Sequence, residues 1–269
     1  MRASAFFRVG TALTLAATAA AMTLAAARAE GTAAAVACVA PSELTRLNHP
    51  LAGTARHLAA GEPITIVAIG SSSTAGAGAS SPAMNYPSRL AVELKALFPR
   101  ASINVINRGV NGETVREMLA RFDDGVLAQK PDLVVWQVGS NSVLRDQPLR
   151  PAGELIREGL KRLKAAGADV VLMNPQYAPK VMAKHDVDGM VDLIDSMAKE
   201  TNVDLFQRFA VMRYWRLTEN IPFDTFVSPD ELHMNDWSYG CVAKLLAGAI
   251  AEAATRSTVT ATARPNAAQ

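Results

Sequence analysis

Three consecutive serines between two glycines are the first residues whose types and spacing suggest chemistry. Residues 70–76 read Gly-Ser-Ser-Ser-Thr-Ala-Gly. A hydroxyl group at the beginning of a helix can act as a nucleophile, because the amino end of a helix stabilises negative charge. Serine and threonine also cap helices, so the segment alone does not separate a reactive serine from a structural one. A phosphate-binding loop would need a lysine before the serine or threonine, and this segment has none.

Asp230 and His233 form a second candidate pair, in a loop that Pro229 marks. A serine nucleophile needs an imidazole to take its proton, and a carboxylate on the other ring nitrogen fixes the required tautomer. A separation of three residues within a turn can bring the two side chains into contact. The chain has four histidines, and the other three lie in segments that we predict to be at the surface.

Two further segments carry groups that can bind a developing negative charge. Residues 107–114 read Asn-Arg-Gly-Val-Asn-Gly-Glu-Thr, and residues 139–142 read Gly-Ser-Asn-Ser. The backbone N–H of Gly112 and the side-chain amide of Asn141 can converge with the N–H of Ser72 on one oxyanion. Each residue has a structural alternative, since glycine permits a tight turn and asparagine caps helices.

The elements that must position these groups alternate between strands and helices. Apolar runs predict five strands, at residues 64–69, 103–106, 133–138, 170–173 and 203–206. The first of them is a continuous apolar run, which indicates a strand buried on both faces. Apolar residues at helical spacing predict helices at residues 86–97, 113–129, 154–166, 187–200 and 238–254. This alternation predicts an α/β fold, a three-layer α/β/α sandwich around a five-stranded parallel sheet. The candidate residues follow strands, at the edge of such a sheet where ligands bind.

The four segments resemble, in this chain order, the motif blocks of the SGNH (GDSL-like) hydrolases. Residues 70–74 are similar to the Gly-Asp-Ser-x-Thr block, residues 111–114 and 139–141 to the second and third blocks, and residues 230–233 to the fifth. The resemblance extends from about residue 64 to the last predicted helix. It implies a flavodoxin-like SGNH hydrolase fold. It also implies site roles: Ser72 as nucleophile, Asp230 and His233 as its partners, and Ser72, Gly112 and Asn141 as the oxyanion hole.

The chain departs from the family pattern at two positions. Ser71 stands where the family usually has aspartate, and Ser142 where an aspartate usually follows the third-block asparagine. Neither position supplies the nucleophile, the base or an oxyanion donor, so the resemblance still implies a serine esterase, of an atypical branch. Alignment on the flanking glycine and threonine favours Ser72 over Ser71 or Ser73 as the nucleophile.

The function implied by the resemblance is hydrolysis of carboxylic esters through an acyl-serine intermediate. Acetyl or other short acyl groups on carbohydrate or lipid are the expected substrates, which makes the partner a small-molecule or glycan ester. An O-acyltransferase acting on a periplasmic glycan would share every catalytic residue. A non-catalytic binding protein on the same scaffold would be expected to have lost part of the triad, and this chain retains all of it.

Substrate contacts are harder to assign than catalytic groups. Five of the fifteen aromatic residues of the chain lie within residues 209–226, just ahead of the loop with His233. They are either plain core or a platform for a sugar or acyl chain. Residues 174–179 follow the fourth strand and are expected to border the cleft.

The first 29 residues have the pattern of a signal peptide. Arg2 and Arg8 precede an uncharged, alanine-rich run over residues 9–27, and small residues frame a cleavage site before Glu30. A retained membrane anchor is the alternative, since the run just reaches spanning length. Alanine is only weakly apolar, which favours cleavage, so we predict a periplasmic or secreted protein without stable membrane insertion. The predicted organisation is a signal peptide (1–29), a lead-in (30–62), a hydrolase domain (63–254) and a disordered tail (255–269).

Charge and composition restrict the possible partners. Without the predicted signal peptide, the chain has 24 basic and 25 acidic residues, a net charge of −1. This balance argues against a nucleic-acid partner. Histidine and cysteine are too sparse and too scattered for a metal site, and we expect no metal and no cofactor.

Cys38 and Cys241 are the only cysteines of the chain. In an oxidising compartment a disulfide between them is plausible, and it would connect the lead-in to the last predicted helix. Two separate buried thiols are equally compatible with the sequence.

Overall fold

A computed structural model of the protein describes residues 36–256. The predicted signal peptide, residues 30–35 of the lead-in and residues 257–269 of the tail lie outside this range. The described residues contain the five predicted parallel strands, in the order β2-β1-β3-β4-β5. Their bounds are Ile64–Gly70 (β1), Ile103–Gly109 (β2), Leu133–Gln137 (β3), Asp169–Met173 (β4) and Asp204–Phe206 (β5).

Thirteen α-helices lie within the same range. The helices before β3 are Ser42–Thr45 (α1), Ala52–Ala60 (α2), Ser72–Ala75 (α3), Tyr86–Leu97 (α4), Val115–Ala120 (α5) and Phe122–Gly125 (α6). The helices after β3 are Ser140–Leu144 (α7), Leu149–Ala165 (α8), Pro179–Met182 (α9), Val187–Thr201 (α10), Arg208–Leu217 (α11), Phe223–Phe226 (α12) and Asp236–Thr255 (α13). Single 3₁₀ turns at Pro82–Met84 and Leu127–Gln129 complete the described helical segments.

The helices cover both faces of the sheet, which confirms the predicted three-layer α/β/α fold. Helix α4 packs against β2 and α13 on one face, and α8 packs against α5, α10 and β4 on the other. The strand order runs in opposite directions from β1. Crossovers of the usual right hand place helices on both faces of a sheet with such an order. β1 and β3 are buried along almost their whole length, as the continuous apolar runs predict.

One predicted helix is wrong as a continuous element. Residues 113–129 form α5, α6 and a 3₁₀ turn, because the backbone at Arg121 leaves the helical region. The break turns Phe122 into the core, where its ring packs edge-on against Trp136. Arg121 itself forms an ion pair with Glu113 at 2.6 Å. Buried aromatic packing therefore overrides the helical period here.

The described part of the lead-in contributes to the core from Cys38 onward. Leu47 and Leu51 are buried, and Cys38 forms a disulfide with Cys241 in α13. At the other boundary, α13 extends to Thr255, so the first residue of the predicted tail is helical. No helix within residues 36–256 is long and apolar enough to cross a membrane.

Candidate active site

The candidate residues meet at the carboxyl edge of the sheet, beside β1. Strand β1 lies between β2 and β3, so the strand order changes direction at this point. A crevice forms at such a position because the connections leave in opposite directions. Ser72 follows β1 directly, and Asn141 follows β3.

The structure distinguishes the three serines after β1. Ser71 and Ser73 are each 1% exposed, whereas Ser72 is half-buried. The Ser71 hydroxyl donates a hydrogen bond to Oε1 of Gln137 at 3.0 Å, and that of Ser73 donates to Oε1 of Gln176 at 3.4 Å. Two of the hydroxyls are thus used within the fold, and Ser72 alone of the three contacts an imidazole.

Ser72, His233 and Asp230 form a continuous chain of hydrogen bonds. Nε2 of His233 lies 2.9 Å from the Ser72 Oγ, and Nδ1 lies 2.5 Å from Oδ2 of Asp230. An ionised carboxylate only accepts hydrogen bonds, so Nδ1 carries the ring proton and Nε2 accepts from the serine hydroxyl. This arrangement allows the imidazole to take the Ser72 proton, which is the chemistry of an activated serine nucleophile.

The backbone of the 230–233 turn holds the carboxylate in place. Oδ1 of Asp230 accepts hydrogen bonds from the N–H groups of Leu232 at 3.0 Å and His233 at 2.9 Å. Partial burial acts to raise the pKa of Asp230, but the hydrogen bonds from His233 and Leu232 outweigh it and leave the pKa below its ordinary value. The carboxylate is therefore ionised at neutral pH, as the imidazole partner requires.

Gly78 brings the serine segment and the histidine loop into close contact. It has a φ of +87°, and a Cβ atom at this position would lie 2.3 Å from the carbonyl oxygen of Met234 and 2.5 Å from Oγ of Ser228. No side chain fits in that space. The glycine therefore belongs to the junction between the two loops that carry Ser72 and His233.

The structure brings Asn141 and the loop with Gly112 together. Nδ2 of Asn141 donates a hydrogen bond to the carbonyl oxygen of Glu113 at 2.9 Å, which orients the second N–H of the amide. Gly112 has a φ of +80°, and its carbonyl oxygen accepts from Arg145 at 2.6 Å. Within residues 36–256, no hydrogen bond from the backbone N–H of Ser72 or Gly112 is found.

The two departures from the family pattern lie in the interior. Ser71 binds Gln137 as described, and Ser142 is buried at the first turn of α7. Ser142 and Thr114 are part of the wall of a cavity of about 220 Å³. An aspartate at either of these buried positions would need a buried partner for its charge. The hydroxyl groups of Ser71 and Ser142 are neutral and have no such requirement.

The sequence predicts that residues 174–179 border the cleft. In the structure, part of this segment also belongs to the interior. Asn174 and Gln176 are buried, because their side chains bind neighbouring loops instead of solvent. Oε1 of Gln176 accepts from the Ser140 hydroxyl at 2.9 Å, and Nε2 donates to the carbonyl oxygen of Leu232 at 3.1 Å. This network leaves no local pattern in the sequence; its one signal is the position of Gln176, three residues after the end of β4.

The aromatic residues of 209–226 belong mainly to the core. Phe209, Trp215 and Phe226 are buried, which agrees with the plain-core alternative. Phe223 is partly exposed, stacks on Tyr177, and lines a cavity of about 440 Å³. The same cavity is bounded by Ser228, Pro229 and Glu231 of the histidine loop, so it adjoins the candidate site.

Residues 36–256 contain no group of three or more histidine, cysteine, aspartate or glutamate side chains arranged to hold a metal ion.

Two curated proteins are similar to parts of this chain. An acetylxylan esterase of Geobacillus stearothermophilus is 30% identical over 122 residues, which are 40% of this chain and 56% of that protein. An arylesterase of Vibrio mimicus is 28% identical over 107 residues, which are 40% of this chain and 53% of that protein. The chain thus spans about half the length of the curated relatives it matches.

Solved esterase structures share the fold. A two-domain esterase (CEX) active on acetylated mannans superposes with a TM-score of 0.64 and 21% identity, over 80% of this chain and 55% of that one. The acetyl xylan esterase AlAXEase gives a TM-score of 0.60 and 22% identity, over 70% of this chain and 100% of that one. At this level of identity the likeness concerns the fold.

A family model covers the whole described domain. The match extends over residues 37–256, from the lead-in through the serine segment and the histidine loop to the end of α13. The predicted relationship to SGNH-like hydrolases is confirmed at the level of the family. The chain belongs to the Non-GDSL lipase-like family.

Proposed function

We propose that the protein is an exported serine esterase that hydrolyses carboxylic esters. The observation that carries the proposal is the hydrogen-bonded chain from the Ser72 Oγ through both ring nitrogens of His233 to Asp230. A serine hydroxyl is a weak nucleophile unless a base takes its proton, and this geometry supplies the base and its orienting carboxylate.

The proposed reaction proceeds in two steps. Ser72 Oγ attacks the ester carbonyl while its proton moves to Nε2 of His233, and the alcohol leaves with that proton. A water molecule then loses a proton to Nε2 and attacks the acyl-serine ester. The bond between the acyl carbon and Oγ breaks, Nε2 returns its proton to Oγ, and the carboxylic acid leaves. Asp230 stays ionised throughout and stabilises the imidazolium that forms in each step.

The oxyanion of each tetrahedral intermediate needs hydrogen-bond donors that are in position beforehand. The N–H groups of Ser72 and Gly112 and the second N–H of the Asn141 amide are the proposed donors. The contact between Asn141 and the carbonyl oxygen of Glu113 supports this role, since it connects the Asn141 side chain to the loop of Gly112.

Short acyl groups on carbohydrate are the proposed substrates. Relatives include an acetylxylan esterase, and a protein with the same fold is active on acetylated mannans. The cavity beside the histidine loop is lined by Phe223, Asp224 and Glu231, which combine an aromatic ring with two carboxylates. Such a lining suits the hydroxyl groups and apolar faces of a sugar better than a long acyl chain.

Export is proposed from the signal-peptide pattern of the first 29 residues. The disulfide between Cys38 and Cys241 supports it, because such bonds persist in oxidising compartments. Intact-mass measurement of the protein recovered from the periplasm or medium tests cleavage before Glu30.

The catalytic assignment is tested with p-nitrophenyl esters of increasing chain length and with acetylated oligosaccharides. Ser72→Ala is expected to lower kcat by about 10⁴-fold or more, since the nucleophile is lost. A serine-reactive phosphonate is expected to label Ser72 in the wild type and in Ser71→Ala and Ser73→Ala, which serve as matched controls. Undiminished turnover in Ser72→Ala would contradict the assignment. Labelling of the wild type without hydrolysis would instead favour acyl transfer.

A further inference from the structure

Arg208 is a fully buried arginine at the start of α11, beneath the candidate site. Its Nε donates to the carbonyl oxygen of Asn174 at 3.0 Å, and Nη2 donates to Oε1 of Gln176 at 3.1 Å. Among the described residues its acceptors are therefore neutral oxygens, and Nη1 is buried without a hydrogen-bond partner. Burial of a cation in this way costs free energy that hydrophobic packing alone would avoid.

The guanidinium remains charged in this environment. Burial lowers the pKa of Arg208 to about 10, and the nearby phenol groups of Tyr86 and Tyr239 act in the opposite direction. A pKa near 10 leaves the group protonated at neutral pH. The fold thus retains a positive charge in its interior close to the loops that carry Ser72 and His233.

Gln176 connects the Arg208 charge to the loop that carries Ser72 and to the loop that carries His233. Its Oε1 accepts from Arg208, from Ser140 at 2.9 Å and from Ser73 at 3.4 Å, while its Nε2 donates to the carbonyl oxygen of Leu232. Rotation of the amide by 180° would place an NH₂ group against the guanidinium, which has only donors. Arg208 therefore fixes the direction in which Nε2 of Gln176 points.

Leu232 is the residue directly before His233, and its backbone N–H already binds Asp230. A hydrogen bond from Gln176 to the Leu232 carbonyl thus holds the peptide that leads into the imidazole. A shift of about 1 Å at a catalytic group can cost roughly 100-fold in rate, even when the substituted residue is remote. The position of this peptide therefore matters for the distance between His233 and Ser72.

We infer that Arg208 is a positioning residue, which acts through Gln176 to hold the Leu232 peptide and hence the His233 imidazole in register with Ser72. The inference rests on the proposed serine esterase function. Arg208 does not touch the reacting atoms in this view. Its role is to make one orientation of the Gln176 amide the stable one.

The test compares Arg208→Met, Gln176→Met, the double variant and Arg208→Lys with the wild type. Arg213→Met is the matched control, because Arg213 lies on the same helix but is exposed. We expect each single Met variant to lower kcat by roughly 10- to 100-fold, with KM changed by less than about threefold. The double variant is expected to be about as slow as the slower single variant, since both substitutions break the same connection. Arg208→Lys keeps the positive charge and N–H donors but lacks the fork that reaches two acceptors, so it is expected to retain more of the wild-type kcat than Arg208→Met.

A merely structural role predicts a different pattern. In one such outcome, Arg208→Met lowers the melting temperature while kcat per folded molecule stays within about twofold of the wild type. In the other, the effects of the two single substitutions on log kcat add in the double variant. Either result would overturn the inference. If Arg208→Met does not fold, Gln176→Met and Arg208→Lys carry the same comparison. A wild type without turnover or Ser72 labelling would overturn the proposed function and this inference together, whereas an active wild type with unaffected variants would overturn the inference alone.

Discussion

Aspartate–histidine pairs lie at both the carboxyl edge and the amino edge of the sheet, but the other ring nitrogen of the histidine has different contacts at the two edges. At the carboxyl edge, the His233 ring contacts Asp230 through Nδ1 and Ser72 through Nε2. At the amino edge, Nδ1 of His49 lies 3.3 Å from Oδ1 of Asp204. A second amino-edge pair joins the Nδ1 atom of a histidine in α2 to a carboxylate just before β3.

The second pair at the amino edge is His57 and Asp132, whose Nδ1 and Oδ1 atoms lie 3.1 Å apart. The carboxylates at the amino edge also bind backbone N–H groups, as Asp132 does with Thr65. Asp204 likewise accepts from the N–H groups of Asn48 and His49 at 2.6 and 3.0 Å. The contacts of Asp204 attach the lead-in to the start of β5.

A contact between aspartate and histidine therefore does not by itself identify a catalytic site. Asp230 also accepts two backbone N–H groups, so the carboxylates at both edges are held similarly. The difference lies at the far ring nitrogen. Nε2 of His233 contacts a serine hydroxyl, whereas Nε2 of His57 lies 3.7 Å from the carboxylate of Glu62. A carboxylate in that place provides no hydroxyl group to be activated.

Turnover is expected to show the largest difference between the two edges. His233→Gln is expected to lower kcat/KM by at least about 10⁴-fold, because the base is lost while Ser72 remains. His49→Gln, the matched substitution at the amino edge, is expected to leave kcat/KM within about twofold of the wild type. Steady-state hydrolysis of a short p-nitrophenyl ester measures both values. Equal losses in the two variants would remove the distinction between the edges.

The disulfide is expected to show the largest effect on stability. The double variant Cys38→Ser/Cys241→Ser should lose about 4–5 kcal/mol of unfolding free energy, since the bond constrains a loop of 203 residues in the unfolded chain. Urea unfolding followed by tryptophan fluorescence measures the loss. Activity at 25 °C should persist where the variant is folded, because neither cysteine belongs to the candidate site. A loss below about 1 kcal/mol would show that the lead-in is held by its other contacts.

Removal of the Asp204 carboxylate is expected to have the smallest effect of the three. Asp204→Ala is expected to lower the free energy of unfolding by about 1–3 kcal/mol, because the N–H groups of Asn48 and His49 lose their buried partner. Turnover of the folded variant should match that of the wild type. Asp186→Ala is the control: its carboxylate binds the exposed His185, so the cost should be below about 0.5 kcal/mol. A loss of activity in Asp204→Ala at full stability would contradict a purely structural amino edge.

The fold was predictable where one physical signal dominates. The three inner strands β1, β3 and β4 are mainly apolar runs, and burial on both faces leaves such a run few alternatives to a central strand. The helix over residues 86–97 has the predicted bounds, since Pro99 stops it and Asn85 caps its beginning. Helix α11 was missed although its buried residues lie on one side of the helix. Arg208 is buried and Leu217 is exposed there, which is the reverse of what their residue types suggest.

The candidate residues of the site were predictable because each lies at a recognisable place in the chain. Ser72, Gly112 and Asn141 follow strand ends, and Asp230 and His233 lie in the loop before the last helix. Their surroundings were not, since contacts across more than a hundred residues leave no local pattern. Ser73 and Gln176, for example, are 103 positions apart. Arg208 looks from its sequence neighbourhood like an ordinary charged residue at a helix start, and only the three-dimensional packing reveals that it is buried.

The bond between Cys38 and Cys241 turns most of the folded chain into a covalent ring, which contains every proposed catalytic and oxyanion-hole residue. A protease that cuts one loop within this ring opens it without releasing a fragment. The segment with Ser72 and the segment with His233 stay tethered after such a cut. Nicked molecules would therefore keep their full mass on a non-reducing gel and separate into pieces only when a thiol is added. In an extracellular or periplasmic setting rich in proteases, that is a form of damage tolerance.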